Sequence, residues 1–460
     1  MSKKSEDFDF LAEFGPKEAS GSFITKKRKN VIFTVSAILL TVSSLVLLLY
    51  FLSDRDVISP QTFTQETEEE PLVYHEDELR GVYIATVHNL HFPSQNTLDE
   101  AGLKKELDDL VSVCKTTGLD TIYFQARPSG DALYRSKLFP TSRYLVSEEG
   151  NDLIFDPLEY LVEKAAEEGL DVVAWVNPYR VTAFSSSSKE EALASLSEEN
   201  PARKNPKLCV FYGGKLYYDP ALPEVQNLIL DGVRELCEGY AIKGVLFDDY
   251  FYPYPVEGES FDDSLSYKTY GNGKNLSDWR RENVNHLVKN TYETVKFVSK
   301  ELTFGVSPFG IWQNKSSHPN GSDTKGMEAY SAIYCDALRW IQGEYIDYIS
   351  PQIYWEGDDP AASFDVLSHW WNEQVKGTKV KLYITHAAYR VSEFEDGAAE
   401  IRRQISNSRW LSSSYGNILY GWKEIQSNSD GLCDLLKEVY ASQKEEDLFV
   451  DEENILEVFP

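Results

Sequence analysis

Two adjacent carboxylates carry the clearest chemical signal in this chain. In the stretch 244–255, GVLFDDYFYPYP, a short apolar run ends in Asp248 and Asp249. Tyr250, Phe251, Tyr252 and Tyr254 follow, interrupted by Pro253 and Pro255. Cleavage of a glycosidic bond needs two carboxyl groups, one neutral to protonate the leaving oxygen and one ionised. Either Asp can supply one of them. Side chains alternate along a strand, so one of the pair points into a site while the other turns towards its neighbours. Close like charges also raise one pKa, which helps keep a proton on an acid. The second carboxyl is open: Glu356 is the first candidate, with Glu424 and Asp358 behind it. The plain alternative is that the pair only caps the turn after a strand.

Such residues must be held by a scaffold, and the chain supplies a regular one. Apolar strand-like runs fall at 79–87, 121–127, 171–178, 244–250, 303–310, 347–354, 381–389 and 417–425. Helical periodicity falls between them near 98–117, 156–169, 223–239, 278–301, 326–343, 361–376 and 395–411, with a last helix near 429–443. Eight alternating strand–helix units predict an α/β fold, a (β/α)8 TIM-type barrel. An open doubly wound sheet is disfavoured, because the first strand–helix turn, HNLHFPSQNT, has no glycine fingerprint. Two long connections, 181–217 and 251–277, fall on the C-terminal face where barrel enzymes build their sites.

The strand ends are therefore the positions to audit. They deliver His88, Asn89 and His91; Gln125 and Arg127; Trp175, Asn177, Tyr179 and Arg180; then Asp248, Asp249 and Tyr250. The later strands deliver Ser307, Phe309 and Trp312; Gln352, Tyr354, Trp355 and Glu356; His386 and Tyr389; and Trp422, Lys423 and Glu424. Sugar rings offer apolar C–H faces to aromatic rings and hydroxyl edges to amides, guanidinium groups and acids. The inventory thus predicts a polysaccharide site. The substrate-binding candidates are Asn89, Gln125, Arg127, Trp175, Asn177, Tyr179, Arg180, Tyr250, Trp312, Gln352, Tyr354, Trp355 and His386. His88, His91 and His386 raise the alternative of a metal site, but no HExxH-type signature accompanies them, and no metal or other cofactor is expected. No GxSxG nucleophile elbow occurs either.

Composition narrows the class. A formal net charge of -29 over 460 residues argues against a nucleic-acid partner, which requires clustered basic surface. The five cysteines are scattered with no CxxC pair, so zinc-ribbon and redox readings are weak. Residues 31–52, VIFTVSAILLTVSSLVLLLYFL, carry no charge and would span about 33 Å as a helix. Lys26, Lys27, Arg28 and Lys29 precede them, which predicts a cytoplasmic N-terminus and an extracytoplasmic body. The expected organisation is a cytoplasmic disordered tail (1–30), a single transmembrane anchor in the membrane (31–52), an acidic stalk (53–78), the barrel (79–443) and an acidic tail (444–460).

Several segments together resemble the glycosyl hydrolase-like family 10, a bacterial envelope family with a barrel catalytic domain. They are RGVYIATVHNLHFPS (80–94), FQARPSGDALYRSKLFPTSRYL (124–145), DPLEYLVEKAAEEGLDVVAWVNPYRV (156–181), YYDPALPEV (217–225), GVLFDDYFYPYP (244–255), FGVSPFGIW (304–312) and YISPQIYW (348–355). The resemblance implies a glycosidase acting on bacterial wall or related polysaccharide, such as peptidoglycan glycan strands. It also implies the catalytic role for the strand-4 acid, Asp248 when DDYFYP is aligned with the shorter DYxRxP form of related barrels. The acid/base partner does not carry over. The first strand ends HNLHFPS where an Asp-Trp-Pro-like ending is expected, which leaves the roles of His91 and Phe92 open. A non-catalytic glycan-binding barrel and a metal-dependent hydrolase or deacetylase are the alternatives.

Overall fold

The structure is a computed structural model that describes His75 and residues 77–441. The expected tail 1–30, anchor 31–52, most of the stalk and the tail 444–460 lie outside the described residues. Eight strand positions pair in parallel: β1 (Leu79–Ile84), β2 (Thr121–Arg127), β3 (Asp171–Val176), β4 (Gly244–Phe247), β5 (Thr303–Val306), β6 (Tyr348–Ile349 and Gln352–Ile353), β7 (Lys381–His386) and β8 (Ser414–Tyr420). Each pairs with its sequence neighbour, and β8 returns to pair with β1, so the sheet closes into a barrel. Closure leaves no edge strand to cover. Position six is split at Ser350 and Pro351, and a proline has no N–H for the ladder.

The wall is made by α1 (Glu100–Thr117), α2 (Pro157–Glu167), α3 (Pro223–Gly239), α4 (Leu276–Val298), α5 (Ala337–Gln342), α6 (Phe364–Val375), α7 (Ala398–Arg409) and α8 (Leu432–Ala441). Local sequence sets their ends. Asp99 accepts the N–H of Gly102 to start α1, and Asp156 accepts those of Leu158 and Glu159 to start α2. Gly118 ends α1 with φ of 77°, the left-handed conformation that glycine adopts without a Cβ clash. The helix expected at 326–343 is two short pieces, Ala329–Ala332 and α5. The strand expected at 417–425 ends at Tyr420, and Trp422–Ser427 is helical, so Trp422, Lys423 and Glu424 rise beyond the barrel on a short helix.

The barrel interior is filled by tyrosines. Tyr83 and Tyr123 have ring centroids 5.2 Å apart, and Tyr348 and Tyr383 lie 4.9 Å apart. Glycine makes room for them: a Cβ on Gly305 would stand 2.1 Å from the Tyr348 ring. Outside the strands a polar network ties the closing seam. Asn417 on β8 donates to Glu78 at 2.9 Å and bonds the His386 ring at 2.7 Å, while Arg409 donates two bonds to Glu78, each 2.8 Å. Glu78, expected as the last stalk residue, is therefore buried in the barrel seam. Among the described residues all five cysteines are free, and four are buried.

Candidate active site

Parallel pairing of β3 with β4 sets Trp175 beside Leu246. Continuing that alternation brings Asn177 and Asp248 to the same side above the barrel interior. The carboxylate of Asp248 accepts the Trp175 indole N–H at 3.0 Å and the Asn177 amide at 3.1 and 3.2 Å. The Tyr250 N–H completes the set at 3.3 Å. Both oxygens are thus fixed by donors. Burial pushes the Asp248 carboxyl up to about 7; Arg180 pulls it down and neighbouring Asp249 adds to the rise.

Asp249 follows the end of β4 and has partners of its own. It accepts the Gln352 amide at 2.9 Å and the Tyr254 hydroxyl, which bridges β4 to β6 across the mouth. Burial raises its carboxyl too, and those two hydrogen bonds oppose the rise. Arg180 is placed by its own N–H, which donates to the Asn177 side chain at 2.9 Å, and by its Nε–H, which donates to the Pro128 carbonyl at 2.9 Å. Its guanidinium lies 5.0 Å from the Tyr250 ring centroid.

Aromatic rings line the rest of the mouth. Tyr83 meets Trp175 edge-on at 5.3 Å, and its hydroxyl lies 3.1 Å from Ser350 Oγ. Tyr354 and Tyr420 are stacked at 6.0 Å, with Tyr389 edge-on to both. Glu424 is half-buried, and burial raises its carboxyl above the ordinary range. The Tyr420 ring lies within electrostatic reach of both Glu424 and Asp248.

The structure brings together Asp248, Asp249, Trp175, Asn177, Arg180, Tyr250, Gln352 and Tyr354, and it gives the remaining candidates other partners. The Glu356 carboxylate accepts the Glu395 N–H at 3.2 Å. Gln125 is committed to holding β1, accepting the N–H groups of Thr86 and Val87 at 2.9 and 3.0 Å. Asn89 staples a loop by donating to the carbonyls of Pro93 and Tyr144. His386 is fully buried behind the sheet between Gln404 and Asn417. Trp312 packs on Trp370 and Tyr330, and Trp355 on Phe309, both buried. Tyr179 is fully buried.

Arg127 is displaced by a bulge. The β2–β3 register runs Gln125 to Trp175 and then Arg127 to Val176, which leaves Ala126 as an extra residue. Arg127 thereby joins the outward-facing set, and its guanidinium lies 3.9 Å from the Phe139 ring centroid, outside the barrel.

Tyr83, Tyr254 and Tyr420 belong to the mouth but were not among the candidates. Tyr83 and Tyr420 could have been found by following inward parity along β1 and β8 instead of reading only the residues after each strand. His88 and His91, raised with His386 as an alternative metal site, are held neutral by their surroundings. Burial and Arg180 hold His88 down to about 4, and burial with Lys423 holds His91 down to about 3. The Ala85 N–H donates to His91 Nδ1 at 3.0 Å. Among the described residues, no group of three or more His, Cys, Asp or Glu side chains could hold a metal ion.

The profile of the family described as Glycosyl hydrolase-like 10 matches residues 78–400. The chain belongs to that family. It is 40% identical over 366 residues to the glycosyl hydrolase YngK of Bacillus subtilis (strain 168), a match covering 78% of this chain and 71% of that protein. It is 34% identical over 362 residues to the glycosyl hydrolase DigH of Escherichia coli (strain K12), covering 74% and 82%. The PgaB (BpsB) glycoside hydrolase domain of Bordetella bronchiseptica superposes with a TM-score of 0.50 at 14% identity, over 80% of this chain and 99% of that domain. That last likeness is one of fold.

Proposed function

We propose that this protein is a glycoside hydrolase of the bacterial envelope, anchored by residues 31–52 and acting outside the membrane on wall polysaccharide such as peptidoglycan glycan strands. The observation that carries the proposal is Asp248, buried at the end of β4 and held on both oxygens by Trp175, Asn177 and the Tyr250 N–H. A carboxylate fixed by donors and faced by a guanidinium is suited to meet the positive charge that develops at an anomeric carbon. Trp175 and the Tyr354–Tyr420 stack offer ring faces for the sugar, and Arg180 offers donors to its hydroxyls. Membership in a glycosyl hydrolase-like family supports the same reading.

The second carboxyl in this reaction is Glu424. Its burial favours the protonated form, the state a general acid needs. Tyr420, flanked by Glu424 and Asp248, would separate the two acids. Asp249 serves to hold Gln352 and Tyr254 in position.

The deciding experiment incubates the detergent-solubilised full chain with purified peptidoglycan glycan strands, with and without attached peptides, and measures released sugar. Release by the wild type and its loss in Asp248→Asn is the expected result. Binding of glycan with no release from any strand would instead establish a non-catalytic glycan-binding barrel.

A further inference from the structure

On the outer wall of the barrel, between α3 and α4, lies a cavity of about 360 Å³ that the proposed reaction does not use. It is lined by the first turns of both helices and by the turn that follows the short helix Ser264–Tyr270. Helices of a (β/α)8 barrel run back from the face on which the strands end, so first turns lie at the rim of the face that carries Asp248. Gln226 ties the two helices together here, donating to the carbonyls of Pro220 and Asn283 at 3.0 and 3.1 Å. The Asn283 amide in turn donates to the Tyr252 hydroxyl at 3.3 Å, which joins the cavity wall to the connection that begins with the Asp pair.

The fold does not use up the polar groups of this wall. Trp279 lines the cavity and is only 3% exposed, yet its indole N–H has no hydrogen-bond partner among the described residues. A buried indole N–H normally finds one. The side-chain amides of Asn227 and Asn290, which also line the cavity, are likewise without partners among the described residues. The charged groups, by contrast, answer one another: Glu282 meets His286 at 3.1 Å and Lys274 at 3.9 Å.

We propose that this cavity is an accessory site for a neutral sugar residue of the polysaccharide, gripping the strand outside the mouth in which it is cut. The inference rests on the proposed action on polysaccharide. What the wall leaves unused is carboxamide and indole N–H. A carboxamide both donates and accepts, as a sugar hydroxyl does, so the two match without any charge. Tyr270, 40% exposed at the edge of the cavity, offers a ring face to the C–H side of the sugar. The volume falls within the range of about 300–1,000 Å³ typical of small-ligand sites. An acidic peptide is the disfavoured occupant, because it would bring negative charge towards Glu282 on a chain whose net charge is already -29.

The test reads binding, so it does not depend on turnover. Chitotetraose, a neutral N-acetylglucosamine oligomer, is titrated by calorimetry into the full chain in detergent, in the Asp248→Asn variant so that the sugar stays intact. Two sites are expected. Adding Asn227→Leu and Asn290→Leu should weaken one of them about tenfold or more and leave the other unchanged. Should that protein fail to fold, Tyr270→Ala at its exposed position takes its place, with the same split expected. Crystals of Asp248→Asn soaked in the tetramer should show sugar beside Trp279. Sugar at the mouth alone overturns the accessory site and leaves the glycosidase reading standing. Sugar beside Trp279 without glycan release by the wild type upholds the site and removes the glycosidase reading. Sugar at neither place, or a free stem peptide in the cavity in its stead, also overturns the inference.

Discussion

At the scale of single residues, Asp248 is held in a conflict between burial and its partners. Its folded pKa, pushed up to about 7, exceeds the value of a free aspartate, so the folded state binds more protons than the unfolded state between about pH 4 and pH 7. Folding stability from this group is therefore full below about pH 4 and falls as pH rises through 7. Asp248→Asn should remove that slope, raising stability at pH 8 by on the order of 2 kcal/mol relative to wild type, while turnover falls about 10²–10⁴-fold. Urea unfolding across pH beside glycan release checks both, and an unchanged pH slope in the variant would rule the assignment out. Arg180 supplies a second check. It pulls the Asp248 carboxyl down, so Arg180→Met should move the acidic limb of the activity profile to higher pH. A limb that stays in place would mean that Asp248 does not govern it.

At the scale of elements, the barrel is specified by what its strands put inside. Tyr83, Tyr123, Tyr348 and Tyr383 crowd the interior, and Gly305 on β5 is the complement that lets the Tyr348 ring fit. Gly305→Ala should cost roughly 1–3 kcal/mol through overpacking, read as a lower urea midpoint; an unchanged midpoint would mean that the ring has room to move. The β2 bulge shows the limit of period-two reasoning. One extra residue, Ala126, moves Arg127 from the inward to the outward set, and no feature of TIYFQAR announces it. The alternating strand–helix pattern was legible because each element carries its own apolar period. The hairpin Cys209–Tyr212 and Lys215–Tyr218 inside a long connection was not. Its strands are four residues each, and it is positioned by long-range bonds such as Tyr218 N–H to the Tyr179 carbonyl at 2.8 Å.

At the scale of the whole molecule, the closing seam and the membrane anchor are separate questions. The seam joins β1 to β8 and is backed by buried Glu78, Arg409, Asn417 and His386, so the barrel proper begins with Glu78. The anchor rests on the uncharged run 31–52 and its basic flank. Among the described residues no helix is long and apolar enough to cross a membrane. Removing residues 1–52 should shift the protein from the membrane pellet to the soluble fraction and leave glycan release per molecule unchanged. Persistence of the truncated chain in the pellet would count against a single N-terminal anchor.

The sequence by itself determined the parallel barrel, the family and the place of Asp248. These depend on local apolar periods and on motifs read along the chain. Tertiary structure decided which strand-end residues share a site. Gln125, Asn89 and His386 are polar residues at strand ends just as Asn177 and Gln352 are, and composition cannot separate them. What separates them is which donors and acceptors the neighbouring strands and loops have already claimed. Thr86 and Val87 take Gln125, Asn417 takes His386, and Asn177 and Gln352 are left to hold the two carboxylates that opened the question.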